Sequence, residues 1–327
     1  MGRKPTAENY ALRFLVSRNA SETWVSIMLV LFASDLHGKT VFYDQMLDLI
    51  RAEAPSLVLL GGDLLPKSGR GEELYQAQTR FIKQDLYGFL KGVRRGHPSI
   101  DIGMMLGNDD LLSVREALSP LADEGLFYLM NRGEWVTASG WHVVGFDLIP
   151  ETPFRLKDLE RRDSQEDSIR YPSVDAIRSK ERGCKRVDTQ EWFLSQATLS
   201  EELAHLAPTG DPERTIFVSH TPPWDTPLDI TVDGEHVGSK AVRSYIEKNQ
   251  PLISFHGHIH ESFTMSGTYA TQIGNTVCFN PGQIHFPTLD AVLVDTMNPM
   301  RSRRHTAESS CLSREGFDLL KAPFLGE

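Results

Sequence analysis

Three short apolar runs, each ending in a cluster of polar residues, constrain this chain most strongly. The runs cover residues 27–33, 57–60 and 253–255, and each is short enough for a buried strand. Aspartate or histidine, together with glycine, follows each run within a few positions. Because the side chains change from apolar to polar where each strand would end, the sequence predicts that the chemistry of this protein lies just beyond its strands.

The spacing of these polar residues favours metal ligation. In extended backbone, residues i and i+2 point to the same side, so Asp35 with His37 and His258 with His260 each direct two side chains towards one point. Carboxylate, amide and imidazole ligands suit two divalent ions such as Mn, Fe, Zn, Co or Ni, and a set without thiolates disfavours an iron-sulfur or structural zinc site. The candidate metal ligands are Asp35, His37, Asp63, Asn108, His220, His258 and His260.

Each motif on its own also has an ordinary structural explanation. Asp35 is suited to capping the helix predicted from about residue 40, and Asp63 and Asn108 are suited to turns. His220 precedes two prolines and is compatible with a loop position. The metal interpretation therefore depends on the whole ordered set, and a fold that has lost its metals is the remaining alternative.

The ordered set resembles the calcineurin-like metallophosphoesterase superfamily, whose motifs run D-x-H, G-D, G-N-H-D/E, H and G-H-x-H, and especially its small bacterial and archaeal Icc-related members. Four of the five motifs match in full, and the resemblance extends from about residue 30 to residue 295. It implies an α/β (α+β) fold, a four-layer α/β/β/α sandwich of two mixed β-sheets flanked by helices. It also implies a dinuclear metal-dependent phosphoesterase.

The resemblance assigns a role to each candidate ligand. Asp35, His37 and His260 would bind one metal ion, and Asn108, His220 and His258 would bind the other. Asp63 would bridge the two ions, and a hydroxide shared between them would attack the phosphoester. Two alternatives stay open: a non-catalytic interaction module of the same fold, and a nuclease or protein phosphatase of the same superfamily.

Asp109 departs from the superfamily pattern, which has a histidine after the Gly-Asn pair. In the superfamily that histidine is thought to assist the transition state or the leaving group, so Asp109 is the candidate catalytic residue. A carboxylate repels a phosphomonoester dianion more than a diester monoanion, which predicts a preference for phosphodiesters. The structural alternative is that Asp109 caps a helix starting near Asp110.

Composition restricts the partners and the compartment. The net charge of −10 and pI of about 5.6 disfavour dedicated binding of long nucleic acid and favour a small-molecule phosphoester substrate. The odd number of cysteines, 3, predicts a reducing compartment, and the cytoplasm is expected. The apolar run at residues 27–33 is too short to span a membrane, so no membrane association is expected, and the sequence does not indicate an oligomeric state.

The domain organisation follows from these motifs. Residues 1–25 are expected to form an N-terminal extension, and Met28 is a candidate true start. Residues 26–297 are expected to form the catalytic domain, and residues 298–327 a C-terminal tail. Residues from about 150 to 190 carry both charge signs and little apolar periodicity, which predicts a solvated insertion or, alternatively, an arginine-bearing lid over the substrate.

The remaining pattern alternates strands and helices at first. Helices are predicted near residues 41–54, 72–93 and 111–124, with a strand near residues 102–106, and a hairpin is predicted around Ser139 and Gly140. His256 continues an apolar strand and is expected in the core or behind the ligands. His285 is expected on the surface or at the mouth of the site, and Trp224 is expected to pack within its loop.

Overall fold

A computed structural model describes residues 28–173 and 175–306 of the chain. Its strands, in chain order, are β1 Leu29–Ala33, β2 Leu57–Leu60, β3 Asp101–Met104, β4 Tyr128–Leu129, β5 Gly133–Val136, β6 His142–Phe146, β7 Ile149–Pro150, β8 Glu160–Arg161, β9 Ile177–Lys180, β10 Gly183–Arg186, β11 Thr215–Ser219, β12 Ile253–Phe255, β13 Ala270–Ile273, β14 Thr276–Phe279, β15 Ala291–Asp295 and β16 Arg303–His305. Its α-helices are α1 Thr40–Glu53, α2 Glu72–Phe81, α3 Tyr87–Gly96, α4 Arg115–Asp123, α5 Thr189–Ser195, α6 Leu199–Ala204, α7 Lys240–Asn249 and α8 Ser262–Ser266.

Two six-stranded mixed sheets form the framework of the described chain. The first runs β16-β15-β1-β2-β3-β4, with β1 to β4 parallel and β15 antiparallel to β1. The second runs β13-β14-β12-β11-β6-β5, with β6, β11, β12 and β14 parallel. Parallel neighbours end at the same edge of a sheet, so the loops that follow β1, β2, β3, β11 and β12 meet at one end of the molecule.

The two sheets pack face to face, and helices cover their outer faces. Alternate residues of β1 and β2 face the second sheet and form a buried cluster with residues of β11, β12 and β14. Within this cluster the rings of Phe32 and Phe255 stack across the interface at 4.7 Å between centroids. The other faces of the strands pack against helices, including α1, α3 and α7. The arrangement confirms the predicted sandwich of two mixed sheets flanked by helices.

Most of the predicted elements are present. Strands β2 and β12 have the predicted limits. Helix α1 begins and ends within one residue of its predicted limits, and α4 begins and ends within about one turn of its own. Strands β5 and β6 form the predicted antiparallel hairpin. The long helix predicted over residues 72–93 consists of α2 and α3 joined through a π-helical turn at Ile82–Leu86. The predicted N-terminal extension lies outside the described residues.

The charged insertion differs from the solvated segment that its composition predicted. It carries the short strands β7 to β10, and Lys157 within it is 0 % exposed. The Lys157 ammonium donates to Glu160 Oε2 and to the Thr152 carbonyl, both at 2.8 Å. Arg161 is buried as well and donates to the Asp158 and Glu160 carbonyls. Charges that pair with one another inside the fold leave no apolar periodicity in the sequence, so the pattern could not reveal the burial. That this segment is a substrate lid stays a prediction.

The first sheet also takes up part of the segment predicted as a tail. Strand β16 pairs antiparallel with β15, with Ala291 opposite His305. Arg304 donates through Nε to the Pro281 carbonyl at 2.7 Å, and its guanidinium lies 3.8 Å from the centroid of the Phe263 ring. The domain therefore continues to the end of the described residues. The sequence did not indicate this, because basic side chains that pack against the core do not show in composition alone.

The buried pair Lys157 and Glu160 is expected to matter strongly for stability. Lys157→Met leaves the Glu160 carboxylate buried without its cation, and we expect the free energy of unfolding to fall by about 3 kcal/mol in urea denaturation. Lys157→Met combined with Glu160→Leu removes both charges and should recover most of that loss. Lys91→Met, which breaks the exposed pair with Glu124, serves as control and should change stability little. If Lys157→Met and Lys91→Met lowered the free energy of unfolding equally, this expectation would be contradicted.

Candidate metal centre

All seven predicted ligands lie at the carboxyl ends of strands or in the loops that follow them. Asp35 and His37 follow β1, Asp63 follows β2, and Asn108 follows β3. His220 follows β11, and His258 and His260 follow β12. The first sheet and the second sheet thus each contribute side chains to one site, as the parallel arrangement of their strands requires.

Four of these residues have backbone that non-glycine residues rarely adopt. Their φ angles are positive: 62° at Asp35, 45° at His37, 53° at Asp63 and 66° at His258. Such conformations cost free energy and are retained where the surrounding structure imposes them. Backbone hydrogen bonds between the loops hold them here, from Asp35 N to Gly62 O at 2.9 Å and from His37 N to Asp63 O at 2.8 Å. The loops after β1 and β2 therefore aim their side chains as one unit.

One half of the centre is formed by Asp35, His37, Asp63 and His260, whose ligand atoms lie within 4.8 Å of one another. His37 Nε2 lies 3.3 Å from His260 Nε2, and His260 Nε2 lies 3.2 Å from Asp35 Oδ1. The His258 backbone N–H donates to Asp35 Oδ2 at 3.0 Å, which fixes that carboxylate. The atoms converge on a space between them, as in a ligand shell.

The other half is formed by Asn108, His220 and His258. Asp63, counted above with the first half, also lies close to this second group. His220 Nε2 is 3.2 Å from Asn108 Oδ1 and 3.7 Å from Asp63 Oδ2. The rings of His220 and His258 lie 5.2 Å apart between centroids. His220 Nδ1 donates to the Gly61 carbonyl at 2.8 Å, so the Nε2 atom is the one directed at the site.

The electrostatics of the cluster suit cations. Burial acts to raise the pKa of Asp35, but the neighbouring His260, His220 and His37 hold it well below its ordinary value. Burial lowers the pKa of His37 to about 4, so that imidazole is neutral at pH 7. Burial also acts to lower the pKa of His220, but the Asp63 carboxylate raises it to about 9. The carboxylates of Asp35 and Asp63 therefore stay ionised in a buried site. Ionised carboxylates in a buried site require positive charge close by.

The donor atoms of the centre are arranged to fit metal ions. Two imidazole Nε2 atoms, those of His37 and His260, face each other at 3.3 Å, and His220 Nε2 faces an amide oxygen at 3.2 Å. Nitrogen lone pairs and a carbonyl oxygen repel one another unless a proton or a cation lies among them. In addition, His37 Nδ1 is buried and makes no hydrogen bond. Because oxygen and imidazole ligands converge on one space, the residues fit divalent metal ions.

Lys67 is a site residue that the sequence did not reveal. Its ammonium lies 3.3 Å from Asp109 Oδ2 and 3.4 Å from His37 Nε2, and its side chain is 54 % exposed. It follows the Gly-Asp motif by four positions, beyond the ligand spacing that the sequence argument used. It brings a cation to the rim of the centre beside Asp109.

Asp109 does not cap a helix, so that alternative is wrong. The next helical turn begins at Leu112 and has no side-chain cap, whereas the Asp109 carboxylate pairs with Lys67. The Asp109 backbone N–H donates to Asp63 Oδ1 at 2.7 Å and holds the central carboxylate in place. The structural role belongs to the neighbouring Asp110, which is fully buried and accepts from the N–H groups of Leu64, Leu65 and Gly107.

Three other predicted positions are also located. His256 is fully buried and bonds to the Ser254 hydroxyl at 2.7 Å and the Thr221 carbonyl at 3.0 Å, which confirms a core position. His285 is exposed, with Nδ1 3.7 Å from Asp290 Oδ2. Trp224 is half-buried, and Lys240 Nζ, at the start of α7, lies 5.0 Å from its ring centroid, so packing of Trp224 within its own loop stays a prediction.

Comparisons with known proteins agree with this architecture. The family model for calcineurin-like phosphoesterases matches residues 28–262. One solved chain aligns at 16% identity and a TM-score of 0.56, covering 86% of this chain and 99% of that chain. The crystal structure of a Thermus thermophilus protein aligns at 16% identity and a TM-score of 0.50, with the same coverage. A Danio rerio dimetal phosphatase aligns at 12% identity and a TM-score of 0.45, covering 82% of this chain and 95% of that chain. No curated protein matches the sequence.

The fold and the cluster of Asp and His side chains fit a metal-dependent phosphoester hydrolase. The chain belongs to the calcineurin-like phosphoesterase family, whose model covers most of it. Members of this family use divalent metals, and the cluster of Asp and His residues fits such a site. Across the described residues, none of the helices combines the length and apolarity needed to cross a bilayer.

Gly107 provides a direct test of how the centre is packed. A Cβ at this position would overlap the backbone nitrogen and the carboxylate of Asp63, so Gly107→Ala must displace the central carboxylate. We expect the bound metal per chain, measured by mass spectrometry after manganese loading and desalting, to fall by about 10-fold or more. Gly88→Ala is the matched control, because a Cβ at this exposed position of α3 meets nothing within 4 Å. That control should keep its metal and gain about 0.5–1 kcal/mol of stability. Retention of full metal content by Gly107→Ala would contradict the packing described.

Proposed function

We propose that this protein is a dinuclear metal-dependent phosphoesterase that hydrolyses a small phosphodiester. The observation that carries the proposal is the position of Asp63 between two groups of ligands, one around Asp35 and one around His220. A carboxylate with two oxygens can be shared by two cations when other ligands approach it from both sides. The predicted roles of all seven residues are compatible with this geometry.

The chain's own residues prepare the site for that reaction. Two bound divalent cations would supply an activated water and neutralise charge on the phosphoryl oxygens. The Asp109 backbone N–H fixes one oxygen of Asp63, and the Gly61 carbonyl fixes the ring of His220. Since these partners belong to the backbone of tight loops, they keep the ligands in place before substrate arrives.

The pair formed by Lys67 and Asp109 sets the charge at the rim of the site. Burial raises the pKa of Asp109 to about 6, with a further contribution from Asp63, while Lys67 opposes that rise. Lys67 offsets the carboxylate charge, so the rim has little net charge instead of the positive charge that a histidinium would supply. Without that positive charge the rim attracts a monoester dianion less strongly than a histidinium would, and this supports the preference for diesters.

The proposal extends to metal, substrate size and compartment. Imidazole, amide and carboxylate ligands favour Mn, Fe, Zn, Co or Ni. The net charge of −10 supports a small phosphoester substrate over long nucleic acid. Cys184 and Cys278 are free thiols in the described chain, which supports a reducing compartment such as the cytoplasm. Presence of the full ligand set disfavours a purely structural interaction module.

Asp63 is the decisive residue for the proposed reaction. Asp63→Asn keeps the shape but removes the shared charge, and we expect kcat/KM on bis-p-nitrophenyl phosphate to fall by more than about 100-fold, since even a partner of a ligand contributes up to about 100-fold. The release of p-nitrophenol by the manganese-loaded protein gives the measurement. Asp48→Asn, an exposed carboxylate on α1, is the control and should leave the rate unchanged. Undiminished hydrolysis by Asp63→Asn would overturn the proposed function.

Asp109 is expected to set the selectivity between esters. The wild-type protein should favour bis-p-nitrophenyl phosphate over p-nitrophenyl phosphate in kcat/KM. Asp109→His should shift the ratio towards the monoester by roughly 10-fold, as about 1.4 kcal/mol of altered charge interaction implies. A wild-type protein that favours the monoester would rule out the diester preference.

Lys67 should act on the same ratio in the opposite direction. Lys67→Met exposes the charge of Asp109, so the rate on the dianionic monoester should fall several-fold more than the rate on the diester. Adding Asp109→Asn to Lys67→Met removes that charge and should return the ratio towards the wild-type value. Independent, additive effects of the two substitutions on the ratio would show that the pair does not work as described.

A further inference from the structure

A loop that follows β14, residues 283–290, lies directly beside the metal centre. Its Gln283 N–H donates to the carbonyl of His260, one of the candidate ligands, at 3.1 Å. The loop is tied to α1 as well, because Gln45 Nε2 donates to the Pro287 carbonyl at 2.8 Å and Gln45 Oε1 accepts from the Leu289 N–H at 2.7 Å. This loop is therefore held firmly between the centre and the first helix.

Phe286 stands out from this firmly held loop. Its side chain is 68 % exposed, although the loop around it is hydrogen-bonded on both sides. One edge of the ring is supported, since the buried Phe42 meets it at 6.0 Å between centroids and an interplanar angle of 64°. Lys39 Nζ lies 5.7 Å from the ring centroid. The ring is thus positioned by its neighbours while most of its surface remains free.

The contacts of Phe286 place it close to the ligands. Lys39 follows His37 by two residues in the loop after β1. Phe42 lies in the first turn of α1, the helix that follows that loop. On the other side, the loop that carries Phe286 is bonded to His260. The ring therefore lies between two loops that each lead to a candidate ligand of the same half of the centre, His37 and His260.

An exposed aromatic ring beside a polar cluster provides a surface for a flat apolar group. Aromatic rings stack on one another and on bases with little demand for particular hydrogen bonds. Lys39 Nζ lies over the ring, and its positive charge suits a substrate whose anionic phosphoryl group is joined to an organic group. Because Phe42 holds the ring in place, the ring suits a planar group better than a flexible acyl chain.

We propose that Phe286 is a specificity-determining residue that stacks against a planar aromatic group esterified to the phosphate of the substrate. The inference rests on the proposed function, because the phosphoryl group must lie at the metal centre for the organic group to reach the ring. It deepens that function by naming the class of substrate, an aryl or nucleobase-bearing phosphoester. Lys39 contacts the ring, and its ammonium group would stabilise the negative charge of the adjacent phosphoryl group.

Equilibrium binding tests the proposal without hydrolysis. Phenylphosphonate and methylphosphonate share the charged group and differ in the aromatic ring, so isothermal calorimetry on the manganese-loaded protein compares their Kd values. We expect Phe286→Ala to weaken phenylphosphonate binding by about 10-fold and to leave methylphosphonate binding unchanged. Phe286→Trp should restore the preference. Leu194→Ala, at an apolar residue that is 59 % exposed on α5, is the control and should change neither Kd.

The possible outcomes separate this inference from the proposed function. A wild-type protein that binds both phosphonates equally, or a Phe286→Ala variant that weakens both in parallel, overturns the role of Phe286 while the metal centre stands. A wild-type protein that binds neither overturns the inference together with the proposed function. Sedimentation velocity supplies a further check: if Phe286→Ala dissociates a dimer, the ring is an interface between two copies and the proposal is wrong.

Discussion

The carboxylate of Asp63 is the point at which the two sheets are joined by polar chemistry. It follows a strand of the first sheet, accepts a hydrogen bond from the Asp109 backbone, and lies 3.7 Å from His220, which follows a strand of the second sheet. Away from these loops, the sheets meet through apolar side chains such as Phe32 and Phe255. Because the stacked strands end at the same edge, their loops bring acidic and imidazole groups into one buried space, and cations are what such a space accommodates.

Backbone conformation is part of this arrangement. Ligands such as Asp35 and Asp63 have positive φ angles, and the loop after β1 is bonded to the loop after β2 along three successive residues. Residues held in such conformations cluster at functional sites, where the rest of the fold stabilises them. The strain is therefore spread over loops whose shape depends on both neighbouring strands.

The positions of the candidate ligands could be predicted because strand ends are readable. An apolar run such as residues 57–60, followed by glycine and aspartate, marks both a buried strand and its exit. The extended backbone expected at Asp35, His37 and His258 was wrong, since their φ angles are positive and the loop conformation, not the i and i+2 spacing, directs their side chains. Lys67 could not be found this way, since its partner Asp109 is distant in sequence and no spacing rule joins them. Lys157 was missed for a related reason: a buried ion pair has the composition of a surface. Pairings that depend on tertiary contact leave no local pattern.

The hydrogen bond between Asp35 and His260 joins residues that are 225 positions apart in the chain. A contact of that separation closes nearly the whole domain into one loop, at an entropic cost that only a largely folded chain can offset. During synthesis, strands β1 to β4 of the first sheet emerge long before His260 does. The centre therefore assembles late in folding, and a partly made chain that already displays Asp35 and Asp63 holds an incomplete set of donors until the second sheet has formed.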